Sequence, residues 1–181
     1  MRLKNLFLLF LVLSGLAYGQ TENFLAESNT LTWQKVYETD LSLPDLLTKF
    51  KESGLFYSVE SENDKIFLKF KNARADYKSL GLSAATVSSY IATGKFEAMA
   101  TVEFKEGKYR TTLNNIDYNY SYLSVATLND VNDVFDLEQV GLKKNSNEFK
   151  NGFVKRDIKV LNYTFSNLFD VEKYKQNDSN W

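Results

Sequence analysis

The sequence predicts an α+β fold: a twisted antiparallel sheet with helices packed on one face, in the order β-α-β-β-β-β-α. Three observations predict it. Apolar and polar residues alternate with a period of two in several segments between 31 and 122. A capped helix interrupts those segments near residue 43, and the last third of the chain turns to helical spacing. A helix with one apolar stripe needs an apolar layer to lie on, and the inward face of the sheet is that layer.

Each element follows from local chemistry. Residues 20–30 are polar without a sustained period and read as a flexible leader ahead of a single domain, 31–172. Leu31 to Thr39 is rich in aromatic and β-branched residues and reads as the first strand. Ser42 can cap the helix that follows, with Pro44 in its first turn, Asp45 completing the capping box and Gly54 ending it. Leu43, Leu46, Leu47 and Phe50 form its apolar stripe. Leu55, Tyr57 and Val59 then alternate, Asn63-Asp64 offers a tight turn, and Ile66, Leu68 and Phe70 return as the second arm of a hairpin. Residues 73–86 read as a connection. Phe96, Ala98, Ala100, Val102 and Phe104 point one way along the clearest strand, while Glu97, Met99, Thr101 and Glu103 point the other. After a turn at Glu106-Gly107, Tyr109, Thr111 and Leu113 lie on one face of the partner strand. Ile116, Tyr118, Tyr120 and Tyr122 are out of phase with them, and a bulge near Asn114-Asn115 would restore all of them to the core side. Leu128 to Val140 carries Val131, Val134, Phe135 and Leu137 at loosely helical spacing. Phe149 to Phe169 reads as a long amphipathic helix, followed by a polar tail over 173–181.

Composition removes whole classes of chemistry. The chain has 181 residues, 22 basic and 23 acidic side chains, no histidine and no cysteine. Thiol nucleophiles, disulfides, zinc fingers and a Ser-His-Asp triad are therefore excluded. Arg2 and Lys4 precede an apolar run from Leu6 to Ala17, and Ala17-Tyr18-Gly19 places small residues where a signal peptidase reads. Residues 1–19 thus read as a signal peptide cleaved after Gly19. The protein is expected to be exported, to the periplasm or the extracellular space, with no transmembrane span after signal removal. Without a cysteine it is not a lipoprotein. Cleavage takes two basic residues with it and leaves acidic side chains in excess, which argues against nucleic acid as a partner.

Several words in the strands carry a family likeness. The stretch Tyr90-Ile91-Ala92-Thr93-Gly94-Lys95-Phe96-Glu97-Ala98, then Val102-Glu103-Phe104-Lys105-Glu106-Gly107-Lys108-Tyr109-Arg110, then Leu113-Asn114-Asn115-Ile116-Asp117-Tyr118, resembles the hairpin of an uncharacterised exported bacterial domain family. The match covers roughly residues 31–122. The resemblance implies a TATA-binding-protein-like (TBP-like) arrangement of sheet and helices. It implies no activity, because that family brings no catalytic residues to transfer, and it does not import DNA binding.

Candidate sites are few. The four carboxylates between Asn129 and Glu138 invite a calcium reading, but Phe135 stands where an EF-hand loop needs glycine. Glu97 and Glu103 share a strand face at a backbone separation of roughly 20 Å, too far for a glycosidase pair. Tyr118, Tyr120 and Tyr122, with Tyr109 on the neighbouring strand and Arg110, are the candidate binding surface. Either the tyrosines form an exposed stacking platform or the bulge turns them inward. Arg110 opposite Glu103 or Glu97 reads first as a cross-strand ion pair. A sheet-to-helix space lined by Phe96, Val102, Phe153, Ile158, Leu161 and Phe165 either holds a small apolar ligand or is filled. The expectation is a noncatalytic binding or structural module of the cell envelope, without cofactor or metal, whose partner is an envelope protein, glycan or peptide. A carrier of an apolar ligand is the alternative, and a carboxylate-only hydrolase is a further one.

Overall fold

The computed structural model describes residues 20–124 and 129–174; the side chains of Gln20 and of 121–132 lie outside the described part, as do residues 1–19, 125–128 and 175–181. The strands are β1 (Gln20–Thr21), β2 (Phe24–Glu27), β3 (Thr30–Glu38), β4 (Ser58–Glu62), β5 (Lys65–Ala73), β6 (Lys95–Lys105), β7 (Lys108–Ser124) and β8 (Asn129–Asp136). They form one antiparallel sheet in the order β1-β2-β3-β7-β6-β5-β4. The long strand β7 makes this possible: one of its edges carries β6, and the other carries β3 along 108–113 and β8 along 117–124. Helices α1 (Leu43–Glu52), α2 (Ser89–Thr93), α3 (Glu138–Gly141) and α4 (Ile158–Leu168) all cover the same face, giving an α+β domain.

Local chemistry explains most of these elements. Ser42 accepts the Asp45 amide at 3.3 Å and donates its own hydroxyl to the Asp45 carboxylate at 2.5 Å, while Gly54 takes φ +67° just beyond the helix. Asn63 (φ 49°) and Asp64 (φ 62°) are both left-handed, as the tight hairpin between β4 and β5 requires. The bulge stands where the phase slip predicts it. Register jumps from Met99 opposite Asn114 to Glu97 opposite Asp117, with Asn115 at φ 51°, and the extra residue returns Ile116 and Tyr118 to the core face.

Elsewhere tertiary context overrides the local pattern. Residues 20–30 are not a flexible leader: Glu22-Asn23 and Ser28-Asn29 are two further left-handed turns, and they fold β1 and β2 back onto β3. Phe24 is thereby buried edge-on against Phe153, with ring centroids 5.7 Å apart. Asn129–Asp136 is a strand rather than a helix, because the free edge of β7 supplies ladder bonds to a stretch of Asn, Asp and Val that are weak helix formers. Leu128 lies outside the described residues. Phe56 is buried while Leu55 and Tyr57 are exposed, since β4 begins only at Ser58, after the turn at Gly54. The final helix is not uniformly α. Phe153 and Ile158 are five residues apart, more than one α-turn, and a π turn over Phe153–Asp157 brings both into the core. Tyr174 donates its hydroxyl to the Leu168 carbonyl at 2.8 Å and packs edge-on against Phe50.

The core is aromatic. Phe165 on α4 sits among Phe24, Trp33, Phe70 and Phe96, with centroid separations of 5.8–6.3 Å. The six residues considered as a ligand lining, Phe96, Val102, Phe153, Ile158, Leu161 and Phe165, are buried within this same cluster, and their side chains occupy the space between sheet and helix.

Candidate functional site

The tyrosines and Arg110 do not share a surface. Tyr109 and Arg110 are consecutive on β7, so the pleat sends them to opposite faces. Tyr109 is 1% exposed and stacks on Tyr37 at 4.9 Å. Its hydroxyl donates to the Phe169 carbonyl at 2.7 Å and accepts the Val171 amide at 3.3 Å. Tyr37 donates to the Ser166 carbonyl at 3.0 Å, so Tyr37, Tyr109 and Tyr174 together satisfy carbonyls that the end of α4 leaves without helical partners. Burial pushes the ionisation of all three hydroxyls far above the ordinary tyrosine value, which keeps them donors.

Tyr118 and Tyr120 follow the same inward face. Tyr118 is 5% exposed, stacked on Phe135 at 5.5 Å and tilted against Tyr90 at 5.0 Å. Tyr120 is half-buried against the core, opposite Asp133 in register. Tyr122 stands opposite Val131 on β8, and its side chain lies outside the described residues. An exposed platform containing Tyr109 and Tyr118 is therefore corrected: the bulge and the single-sided core turn them in. The acidic segment is likewise a strand, which sends Asp133 and Asp136 to opposite faces instead of converging them in a loop.

The uncovered face of the sheet is a surface that sequence reasoning did not single out. Its cross-strand rows follow from the register. One row runs Glu62, Lys65, Glu103, Arg110, Val36; the next Glu60, Phe67, Thr101, Thr112, Gln34; the next Ser58, Lys69, Met99, Asn114. Val36 is 51% exposed, Met99 47% and Phe67 36%, three apolar side chains on a face with no helix over it among the described residues. A signal for them was present: each stands at an outward position of an alternating strand, where a polar residue is expected.

Charges of both signs stand along this face, with Glu38 opposite Lys108 at one end and Lys95 two residues from Glu97 at the other. Glu103 accepts the Arg110 Nε at 2.9 Å and pairs with Lys65 at 3.2 Å, and these bonds, Arg110 first, hold its carboxyl below the usual range. Beyond this row Lys105 and Lys108 face each other at the β6–β7 turn, and neither is in an ion pair among the described residues. With Val36, Glu103 and Arg110 they border a concavity of about 350 Å³. At the opposite end, Asp117 lies in register with Glu97 on β6 and Asp136 on β8. Partial burial first, then the charge and hydrogen bond of Asp136 and the charges of Glu97 and Glu138, push Asp117 up to about 6. Glu97, Met99, Asn115, Asp117 and Tyr57 border a second concavity of about 280 Å³.

No family model matches the chain, and no curated protein matches it. Two solved structures are similar to it. One is a TBP-like protein from Parabacteroides distasonis, 12% identical, covering 83% of this chain and 97% of that one with a TM-score of 0.48. The other is a DUF4468 family protein from Bacteroides ovatus, 11% identical, covering 91% of this chain and 96% of that one with a TM-score of 0.49.

Proposed function

We propose that the protein is an exported, noncatalytic module that binds a component of the bacterial cell envelope through the uncovered face of its sheet. The observation that carries this reading is Val36, Phe67 and Met99 standing exposed together on a face that no helix among the described residues covers. Export is supported by the signal-like segment from Arg2 to Gly19. The lack of histidine supports a noncatalytic role. The test compares retention of envelope components on the immobilised protein with retention on a Val36→Glu/Met99→Glu variant. Both positions are exposed, so melting should stay unchanged while retention falls at least tenfold. Equal retention by the two proteins would sink the reading.

A carboxylate-only hydrolase is the second reading, and Asp117 with Asp136 is the pair that favours it. The two stand side by side on neighbouring strands and are hydrogen-bonded to each other, whereas glycosidase carboxylates flank the bond between them from opposite sides. Turnover of a glycan that Asp117→Asn abolishes would replace the binding reading with this one.

A further inference from the structure

We propose that the hollow at the β6–β7 bulge is a subsite for one neutral sugar ring of an envelope glycan, stacked on Tyr57 and hydrogen-bonded by Glu97, Asn115 and Asp117. The inference rests on the reading of the uncovered face as a binding surface and names the class of ligand it takes. The bulge builds one wall of the hollow. Asn115 and Ile116 together stand opposite Ala98, and Ile116 turns into the core. Asn114, Asn115 and Asp117 are thereby left as three polar side chains on the outer side, where four residues of a regular strand would place two. Tyr57 is the opposite wall. Its amide donates to the Lys69 carbonyl at 3.0 Å, and its ring is 61% exposed with the Lys71 ammonium 5.2 Å from the centroid. Glu97 and Met99 on β6 lie between the walls, and with Tyr57, Asn115 and Asp117 they border the concavity of about 280 Å³.

This lining matches the two sides of a pyranose, which has an apolar C–H face and a rim of hydroxyls. Tyr57 offers an exposed ring, and Met99 a polarisable thioether, to the apolar side. Glu97 and Asp117 accept from hydroxyls while the Asn115 amide both donates and accepts, so neighbouring hydroxyls find partners of either kind. An apolar ligand would leave those three polar groups unpaired. An ionic ligand gains little, because Lys71 and Lys95 offset Glu97 and one member of the hydrogen-bonded Asp117–Asp136 pair. The volume lies just below the roughly 300 Å³ at which ligand pockets begin, which suits one ring with the rest of the glycan outside.

The test loads envelope material onto the immobilised protein after either mild periodate, which cleaves vicinal diols, or proteinase K. Retention should fall at least tenfold after periodate and stay within twofold after proteinase. It should also stay within twofold in 0.5 M NaCl, about three times physiological ionic strength, because no ion pair carries it. Tyr57→Ala should lower retention of the proteinase-treated material at least tenfold, and Tyr57→Phe, which keeps the ring, less than twofold. Asn115→Gly keeps the left-handed backbone, removes the amide and should lower retention at least fivefold. Tyr57 and Asn115 are both exposed, so melting should not move. Retention that survives periodate and is lost to proteinase overturns the sugar subsite and leaves the binding reading standing with a protein partner. A tenfold loss in salt overturns the neutral ligand, and periodate-sensitive retention that Tyr57→Ala and Asn115→Gly leave unchanged overturns the hollow as its place. No retention of either portion, nor of untreated material, overturns this inference and the binding reading together.

Discussion

Changing Tyr109→Phe isolates the link between the sheet and the end of the last helix. The substitution keeps the ring, and with it the 4.9 Å stack on Tyr37 and the edge-on contact with Phe50, and removes only the oxygen. That oxygen makes two hydrogen bonds in the interior, as donor to the Phe169 carbonyl and as acceptor from the Val171 amide. Net loss of a buried neutral hydrogen bond costs about 1 kcal/mol, and leaving its partner unsatisfied raises this to 1–3 kcal/mol. With two partners stranded, the expected loss is about 2–3 kcal/mol. For a domain of this size each kcal/mol moves the midpoint by about 2–4 °C, so melting should fall by roughly 5–10 °C. Tyr37→Phe strands one carbonyl at a partly buried site and should cost about 1 kcal/mol. Urea unfolding gives both values, and hydrogen exchange at the Val171 amide should accelerate in the Tyr109 variant alone. A Tyr109→Phe protein that melts within about 1 °C of the parent would refute the claim that these hydroxyls close the helix end.

Phe24→Ala should destabilise the protein by about 3–5 kcal/mol in urea, because the ring fills space between Phe153 and Phe165; a loss below 1 kcal/mol would mean the N-terminal hairpins are not part of the core. Asn115 holds φ 51° in the bulge, so Asn115→Gly should be within a few tenths of a kcal/mol of the parent and Asn115→Val should cost about 1–2 kcal/mol, read from the same unfolding curves. Asp117, raised from 3.8 to about 6, holds its proton in the folded state while the unfolded chain has released it, so folding is progressively penalised as pH rises from about 4 to about 6. Asp117→Asn should therefore gain up to about 1 kcal/mol over the parent at pH 7.5, after solvent screening, and nothing at pH 3.5, with paired melts at the two pH values as the check.

The fold was legible where one strand or helix carries its own signal. The cap at Ser42, the turns at Asn63-Asp64 and Glu106-Gly107, the strand from Phe96 and the bulge at Asn115 each follow from a few adjacent residues, and the structure has all of them. The Arg110–Glu103 pair was legible for the same reason, since it needs only one hairpin in register. β2 was not legible, because four residues between turns without glycine make a weak pattern until β3 pairs with them. Nor was β8, whose apolar spacing suits a helix and whose strand state depends on the distant edge of β7. The candidate site suffered most. Inward and outward positions could be told apart, but a face is exposed only if nothing packs on it, and that depends on where every helix lies.

The sequence by itself determined which chemistries are excluded, through the missing histidine and cysteine, and it determined the two-sided character of the central strands, because alternation is a local property of the chain. Tertiary structure decided what each side is for. It turned the tyrosines from a possible platform into ring packing and helix-end donors, since the Phe169 and Ser166 carbonyls at the end of α4 reach Tyr109 and Tyr37 from 60 and 129 positions away. It also gathered Val36, Phe67 and Met99, each an isolated outward residue in the sequence, onto one uncovered face. Adjacency across strands is set by register, and register is a relation between segments that no single segment contains.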